Sequence, residues 1–287
     1  MHNFDVYDAA TDRHHFYLYS EWDGSSGPDE VLSMLMHHLS SPLMTRTMGS
    51  GILVIWADNC GGQNKNQYIV ALLNELSNPA SPFHKFRRVD LRFPVPGHNF
   101  LVCDRAFSVL ERFAGGKTVY VPSEMAHVVK KAFASRQHAE MFPRIHFKNW
   151  KQCLETKYSV LNKTVLGGEP GEQIRFNDVM WFNFGECGNM LHPDELWFKY
   201  SLRDSEPWKK INIRKRGSML LPDNHHDNHL YDAFAYISFK LLCRLFHVAG
   251  VKNFVRKSSE TQRHQDGRVV FVSSVYSRRI PPVLPAS

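Results

Sequence analysis

The chain opens on alternating positions. Phe4 and Val6, then Phe16 and Leu18, recur at a period of two, with Ala10-Thr11-Asp12 between the pairs. That predicts a β-hairpin. Gly24 to Pro28 reads as a loop, and Pro28, Asp29 and Glu30 suit the first turn of a helix. Val31, Leu35 and Leu39, with Met34 beside them, give that helix its apolar stripe. A Met-bearing stripe of this kind reads as core packing. Gly51 to Ala57 is an unbroken apolar run, the mark of a strand covered on both faces. After it comes Asp58-Asn59-Cys60-Gly61-Gly62-Gln63-Asn64-Lys65-Asn66, then a helix burying Ile69, Val70, Leu72, Leu73 and Leu76. Phe86 to Val95 predicts a further strand, and a helix over Asp104 to Arg112 follows Gly97-His98-Asn99. The order β-β-α-β-α-β-α predicts an α/β layer whose strand ends feed loops, where ligands sit in such sheets.

Beyond Gly116 the pattern weakens. Val119 to Pro122 and a helix from Val128 to Ala134 continue the layer, and Gly167 to Gly171 is a turn-rich break. Phe176 to Trp181 and Leu196 to Tyr200 read as strands. Pro222 begins a polar His/Asn/Asp loop, and Ser258 to Ser287 is expected to be poorly ordered.

Of 287 residues, 43% are hydrophobic, enough to build a core. Lys and Arg exceed Asp and Glu by 35 to 28, and the resulting +7 mildly favours polyanionic partners, DNA first. The five cysteines are scattered without a CxxC, which predicts neither a disulfide framework nor a zinc ribbon and fits a reducing compartment. No signal peptide opens the chain, and the apolar stretch Leu230 to Gly250 carries Asp232, Lys240, Arg244 and His247. A soluble, non-secreted protein without a membrane partner is therefore expected.

Asp58 is the best-placed candidate for chemistry. A carboxylate ending a buried strand can face a cleft and stay rigid, although a helix-capping role fits the position equally. Asn59, Gln63 and Asn64 make the following loop rich in amides, and no Gly-Lys-Ser/Thr marks a P-loop. Asp104 and Glu111 stand seven apart and so share one helical face with Ser108 between them. Such carboxylates suit Mg²⁺ or Mn²⁺, and two ions could clamp a phosphodiester. The plainer alternative is two solvated acids, Glu111 paired with an Arg. His98 could orient a phosphate, or be a hydrogen-bonded loop residue. His225, His226 and His229 lie in a polar loop without the scaffold a metal site needs. Lys209, Lys210, Arg214, Lys215 and Arg216 form a basic patch beside Trp208, suited to phosphate contacts or to solvent. Asn162-Lys163-Thr164 matches a glycosylation sequon but has no bearing without secretion.

Three groups of residues carry a family resemblance. They are Ala57 to Asn66, Val95-Pro96-Gly97-His98-Asn99-Phe100, and Cys103-Asp104-Arg105-Ala106-Phe107. Gly27 to Val31, Val119 to Ser123 and the run from Trp197 through Gly217 also fit. Together they resemble a transposon-derived domain family of animal genomes, mostly catalogued as a domain of unknown function and similar to RNase H-like DDE transposases. The resemblance implies metal-dependent cleavage and strand transfer on DNA, in the nucleus or otherwise the cytoplasm, with self-association left open. Asp58 matches the acid after the fourth strand, and Asp104, or else Glu111, the acid on the helix after the fifth. The chain begins at what resembles the second strand, so the central first strand and its acid are expected to be missing, with Asp5 or Asp8 as substitutes only under another register. The fold expected is thus an RNase H-like mixed sheet with flanking helices. It has a core over 1–150, an α+β extension over 151–222 and a divergent, partly disordered tail over 223–287. A lost central strand exposes ladder edges, so either the hairpin re-pairs with Ile52–Trp56 or the chain is expected to be a fragment of a longer gene product. Ancestral DNA cleavage with present activity in question is the first reading. A catalytically dead DNA- or protein-binding module, or a decayed fragment, is the alternative.

Overall fold

The expected hairpin forms: β1 (His2–Asp8) and β2 (Arg13–Tyr19) pair antiparallel from His2↔Tyr19 to Asp8↔Arg13. Asp8 shapes the turn, its carboxylate accepting hydrogen bonds from the Ala10 N–H at 3.1 Å and the Thr11 hydroxyl at 2.7 Å. Asp12 takes a left-handed φ of 55° that a short polar residue tolerates, and it accepts a hydrogen bond from the Tyr7 hydroxyl at 2.6 Å. The computed structural model describes residues 1–42, 44, 51–60, 63–95, 101–115, 119, 121–134, 137–185, 194–215 and 267–276. They belong to one unit, Met1–Arg216 with Asp266–Ser287; a second, Gly217–Gln265, lies outside the described residues.

In chain order the next elements are α1 (Pro28–Leu39), β3 (Ile52–Ala57), α2 (Gln67–Ser77), β4 (Arg88–Arg92), α3 (Val102–Ala114) and α4 (Pro122–Ala132). Then follow β5 (His138–Met141), α5 (Trp150–Lys157), β6 (Trp181–Gly185), β7 (Glu195–Lys199), β8 (Lys209–Asn212) and β9 (Gly267–Tyr276). The nine strands make one mixed sheet in the order β5-β2-β1-β9-β3-β4-β6-β7-β8. Sequence reading anticipates most of the first half but not β5, α5 or β8. The strand expected from Phe176 begins only at Trp181, because Phe176–Asp178 coils into a 3₁₀ turn whose Asn177 carbonyl accepts a hydrogen bond from Lys65.

Alternation along β2 assigns the two faces. Phe16 and Leu18 pack with Cys103, Phe107, Leu110 and Val129 of α3 and α4. Tyr17 points the other way, its hydroxyl 2.9 Å from His38 of α1. The helices α1, α2 and α5 pack together, and α3 packs on α4.

The expectation of a missing central strand and a poorly ordered tail needs correcting at one point. Residues 267–276 lie within that tail, yet they form β9 and fill the gap between β1 and β3. β9 runs antiparallel to β1 (Asp8↔Val270 to His2↔Tyr276) and parallel to β3 (Ile52↔Gly267 to Ala57↔Val272). The hairpin therefore does not pair with Ile52–Trp56 directly, and neither neighbour is left with a bare edge there. The physical reason is in the local sequence: Val269, Val270, Val272 and Val275 are β-branched, and Val270 and Val272 are fully buried.

We expect Val270→Asp to destabilise the chain by more than about 3 kcal/mol, since it leaves an unpaired charge in the core. A lowered urea midpoint checks this; an unchanged midpoint would mean that β9 does not contribute to the sheet.

Candidate functional site

Asp58 stands directly after β3, on a loop held by amides. Its Oδ1 accepts hydrogen bonds from the Cys60 N–H at 3.0 Å and from Asn64 Nδ2 at 2.9 Å. Asn59 Nδ2 donates to the Pro94 carbonyl at 2.7 Å, tying this loop to the end of β4. Asn66 caps α2, its side-chain oxygen accepting from the N–H groups of Tyr68 and Ile69. Lys65 is nearly buried. It lies 4.7 Å from the centre of the Phe93 ring and donates to Asn59 Oδ1 at 3.1 Å and to the Asn177 carbonyl at 2.6 Å. Desolvation by burial pulls its ammonium down to about 8, against the opposing charge of Asp178. The asparagine-rich loop is thus a clamp joining the ends of β3, β4 and the turn before β6. Gln63 takes part through its side chain, which accepts from the Cys60 thiol at 3.4 Å, and its carbonyl, which accepts from Asn66 Nδ2.

Asp104 sits in the first turn of α3, where its Oδ2 accepts the Leu101 N–H at 3.0 Å. Its carboxyl is pushed up, first by burial and also by the negative charge of Asp58, while the Leu101 hydrogen bond opposes the rise. Glu111 is exposed two turns further along α3, and the intervening Ser108 hydroxyl donates back to the Asp104 carbonyl at 2.9 Å. Asp5 and Asp8, the possible substitutes for the first acid, are both fully buried. Extending the β3–β9 register by one residue sets Ser273 beside Asp58, and β9 carries no acidic residue.

The basic patch does not form one surface. Strand alternation sends Lys209 and Lys210 to opposite faces of β8, and each has a carboxylate partner, Glu172 for Lys209 and Glu195 at 3.1 Å for Lys210. Arg214 pairs with Asp194 at 3.1 Å, and Lys215 is exposed. His98, Arg216 and the His225, His226 and His229 loop lie outside the described residues.

Two groupings escaped the sequence reading. Asp90 on β4 is buried and accepts hydrogen bonds from Arg88, from Trp181 Nε1 at 2.9 Å and from Asn183 Nδ2 at 2.6 Å, while Arg92 stacks 3.9 Å from the Trp181 ring centre. The second is Asp5 with His14 and Cys103, under α3. Here Asp5 Oδ2 lies 2.6 Å from His14 Nδ1, and the Cys103 thiol is 3.8 Å from the Asp5 carbonyl. Burial raises both the Asp5 carboxyl and the Cys103 thiol, and the His14 hydrogen bond counters the rise at Asp5. Only the hairpin register, joined to a helix almost a hundred residues later, brings these three together.

Fold and site define an α/β protein with a mixed sheet and two partly buried carboxylates, one directly after a parallel strand and one at a helix start. The chain belongs to the DUF7869 family, a domain of unknown function, whose family model matches residues 7–165 and so spans Asp58, the amide loop and Asp104. Neither a curated protein nor a solved structure matches it. No helix among the described residues is long and apolar enough to cross a membrane.

The lowered Lys65 value has a pH consequence. Between about pH 8 and the ordinary lysine value of 10.5, the unfolded chain holds a proton that the fold has released, so this group makes stability rise with pH across that window. Lys65→Met should flatten that rise relative to the parent in urea midpoints taken from pH 7.5 to roughly 10. A parent and variant with parallel profiles would refute the assignment. Separately, Asn66→Ala should cost about 1 kcal/mol of stability through the lost helix cap, read from the same midpoints.

Proposed function

We propose that the chain is a transposase-derived protein with an RNase H-like core whose Asp58–Asp104 pair binds Mg²⁺ or Mn²⁺ without supporting DNA cleavage. The observation that carries this reading is the pair of oriented, partly buried carboxylates at two element ends, Asp58 directly after β3 and Asp104 in the first turn of α3. A divalent cation would neutralise them, and one to three carboxylates with water and phosphate suffice for Mg²⁺. The strand order β2-β1-β9-β3-β4, with β9 antiparallel to β1 and parallel to β3, supports the RNase H-like part of the reading. So does the placement of Asp58 directly after a strand that pairs parallel with both β4 and β9.

When bound, the cation would supply charge neutralisation at a phosphodiester. Asp58 would offer a carboxylate already oriented by Asn64 and the Cys60 N–H, and Asp104 one oriented by the Leu101 N–H. A second ion at the leaving oxygen needs a further carboxylate. Ser273 stands level with Asp58 in β9, and Asp5 on the next strand is buried against His14. DNA cleavage is therefore not sustained; the substrate class retained is a phosphodiester held through the cation.

The test is titration of the full chain with Mg²⁺, following the Asp104 carboxyl by NMR, beside an assay with labelled DNA. Expected outcomes are a lower Asp104 pKa in Mg²⁺, loss of that response in Asp58→Ala, and no cleavage above buffer. An Asp104 unmoved by the metal refutes the cation site. Parent cleavage that vanishes in Asp58→Ala refutes the claim that the site is incomplete.

A further inference from the structure

We propose that Asp5, His14 and Cys103 form a second metal site, selective for Zn²⁺ or a similar borderline-soft divalent ion and separate from the Asp58–Asp104 pair. Their donor atoms lie within 4.8 Å of one another, the one such cluster among the described residues. A tetrahedral zinc site has ligand-to-ligand edges of about 3.3–3.6 Å, given metal–ligand bonds of about 2.0–2.3 Å. Opening the short Asp5–His14 contact while Cys103 closes in makes room for the ion, and both shifts are within side-chain reach.

Three further observations favour a metal over a simple buried pair. Asp5 is fully buried, and its Oδ1 has no hydrogen-bond partner among the described residues, a costly state for a carboxylate in the core. The charges also balance: one carboxylate, one thiolate and one neutral imidazole match a doubly positive ion, leaving no net charge in the interior. Finally, the site has an entry. His14 packs between the Tyr7 and Phe16 rings at 4.8 and 5.6 Å, and it lines a cavity of about 570 Å³ with Tyr7, Asp12, Arg13 and Gln137. Water from that cavity would complete four-coordination.

A Cys–His–Asp nucleophile is the competing reading of the same residues. Cys103 is completely buried, so its sulfur cannot meet a substrate in the cavity. A coordinated ion instead removes the thiol proton outright. The thiolate also sets the selectivity, since Mg²⁺ prefers oxygen donors alone. Because Cys103 precedes Asp104 in α3, the ion would fasten the first turn of that helix to β1 and β2.

The experiment uses the full chain, stripped with chelator and titrated with Co²⁺ and then Zn²⁺. We expect one Co²⁺ per chain with a near-ultraviolet thiolate-to-cobalt charge-transfer band that Zn²⁺ abolishes. The band should persist in a variant with Cys60, Cys153, Cys187 and Cys243 all changed to Ala, and vanish in Cys103→Ala. Zn²⁺ should raise the Tm of the parent and leave that of Asp5→Asn unmoved. A parent lacking the band overturns the proposal without need of any variant. So does a band that survives Cys103→Ala, or a Zn²⁺-induced rise in Tm that survives Asp5→Asn.

Discussion

Hydrogen bonding of β9 to β1 on one side and β3 on the other is the constraint on which the rest depends. β1 and β3 share no ladder, so the hairpin half of the sheet and the β3–β8 half are one sheet only through those ten residues. The buried Val270 and Val272 each contribute roughly 1.5–3 kcal/mol of burial. The larger effect is geometric. β9 fixes the level of Asp5 relative to Asp58 and supplies part of the surface on which α3 rests, so both candidate sites inherit their spacing from it.

Polar pins set the finer positions. The clamp of Asn59, Asn64 and Lys65 buries groups that prefer water, a cost offset because Asn59 bonds the Pro94 carbonyl past β4, Asn64 bonds Asp58 within the loop and Lys65 bonds the Asn177 carbonyl before β6. Asp90 does the same in the middle of β4, with Arg88, Trp181 and Asn183 around it. Breaking such a network from one side costs more than replacing it whole, so it specifies one arrangement of strands more than it adds stability. An asparagine-rich loop with the look of a ligand-binding segment is thus largely self-satisfied. What it presents outward is one oriented carboxylate, Asp58.

Elements whose partners are near in sequence were legible. The hairpin, the buried run at Ile52–Ala57 and the helix at Gln67 announce themselves through alternation, unbroken apolarity and an apolar helical face. The placement of Asp58 after a strand and of Asp104 near a helix start was legible as well, because each sits at an element end. β9 was not: four of its residues are valine, but they sit in polar, proline-bearing surroundings, and their parallel partner is 215 residues earlier (267 − 52). The basic patch was misleading for a related reason. Lys209 and Lys210 look like neighbours on a surface until a strand puts them back to back. Asp5 and His14 carry no motif at all, since nine residues of spacing mean nothing until the hairpin register sets them side by side.

The position of β9 also sets an order of events during synthesis. Ribosomes add roughly 5–20 residues each second, so about 10–40 seconds separate the appearance of β3 from that of β9. Throughout that interval the nascent β1 and β3 each offer an unpaired ladder edge to whatever is near, including another nascent chain. Local helices can settle early, yet the sheet cannot close until a distant segment arrives and slots between two strands already made. A protein built this way depends on protection while it is being translated.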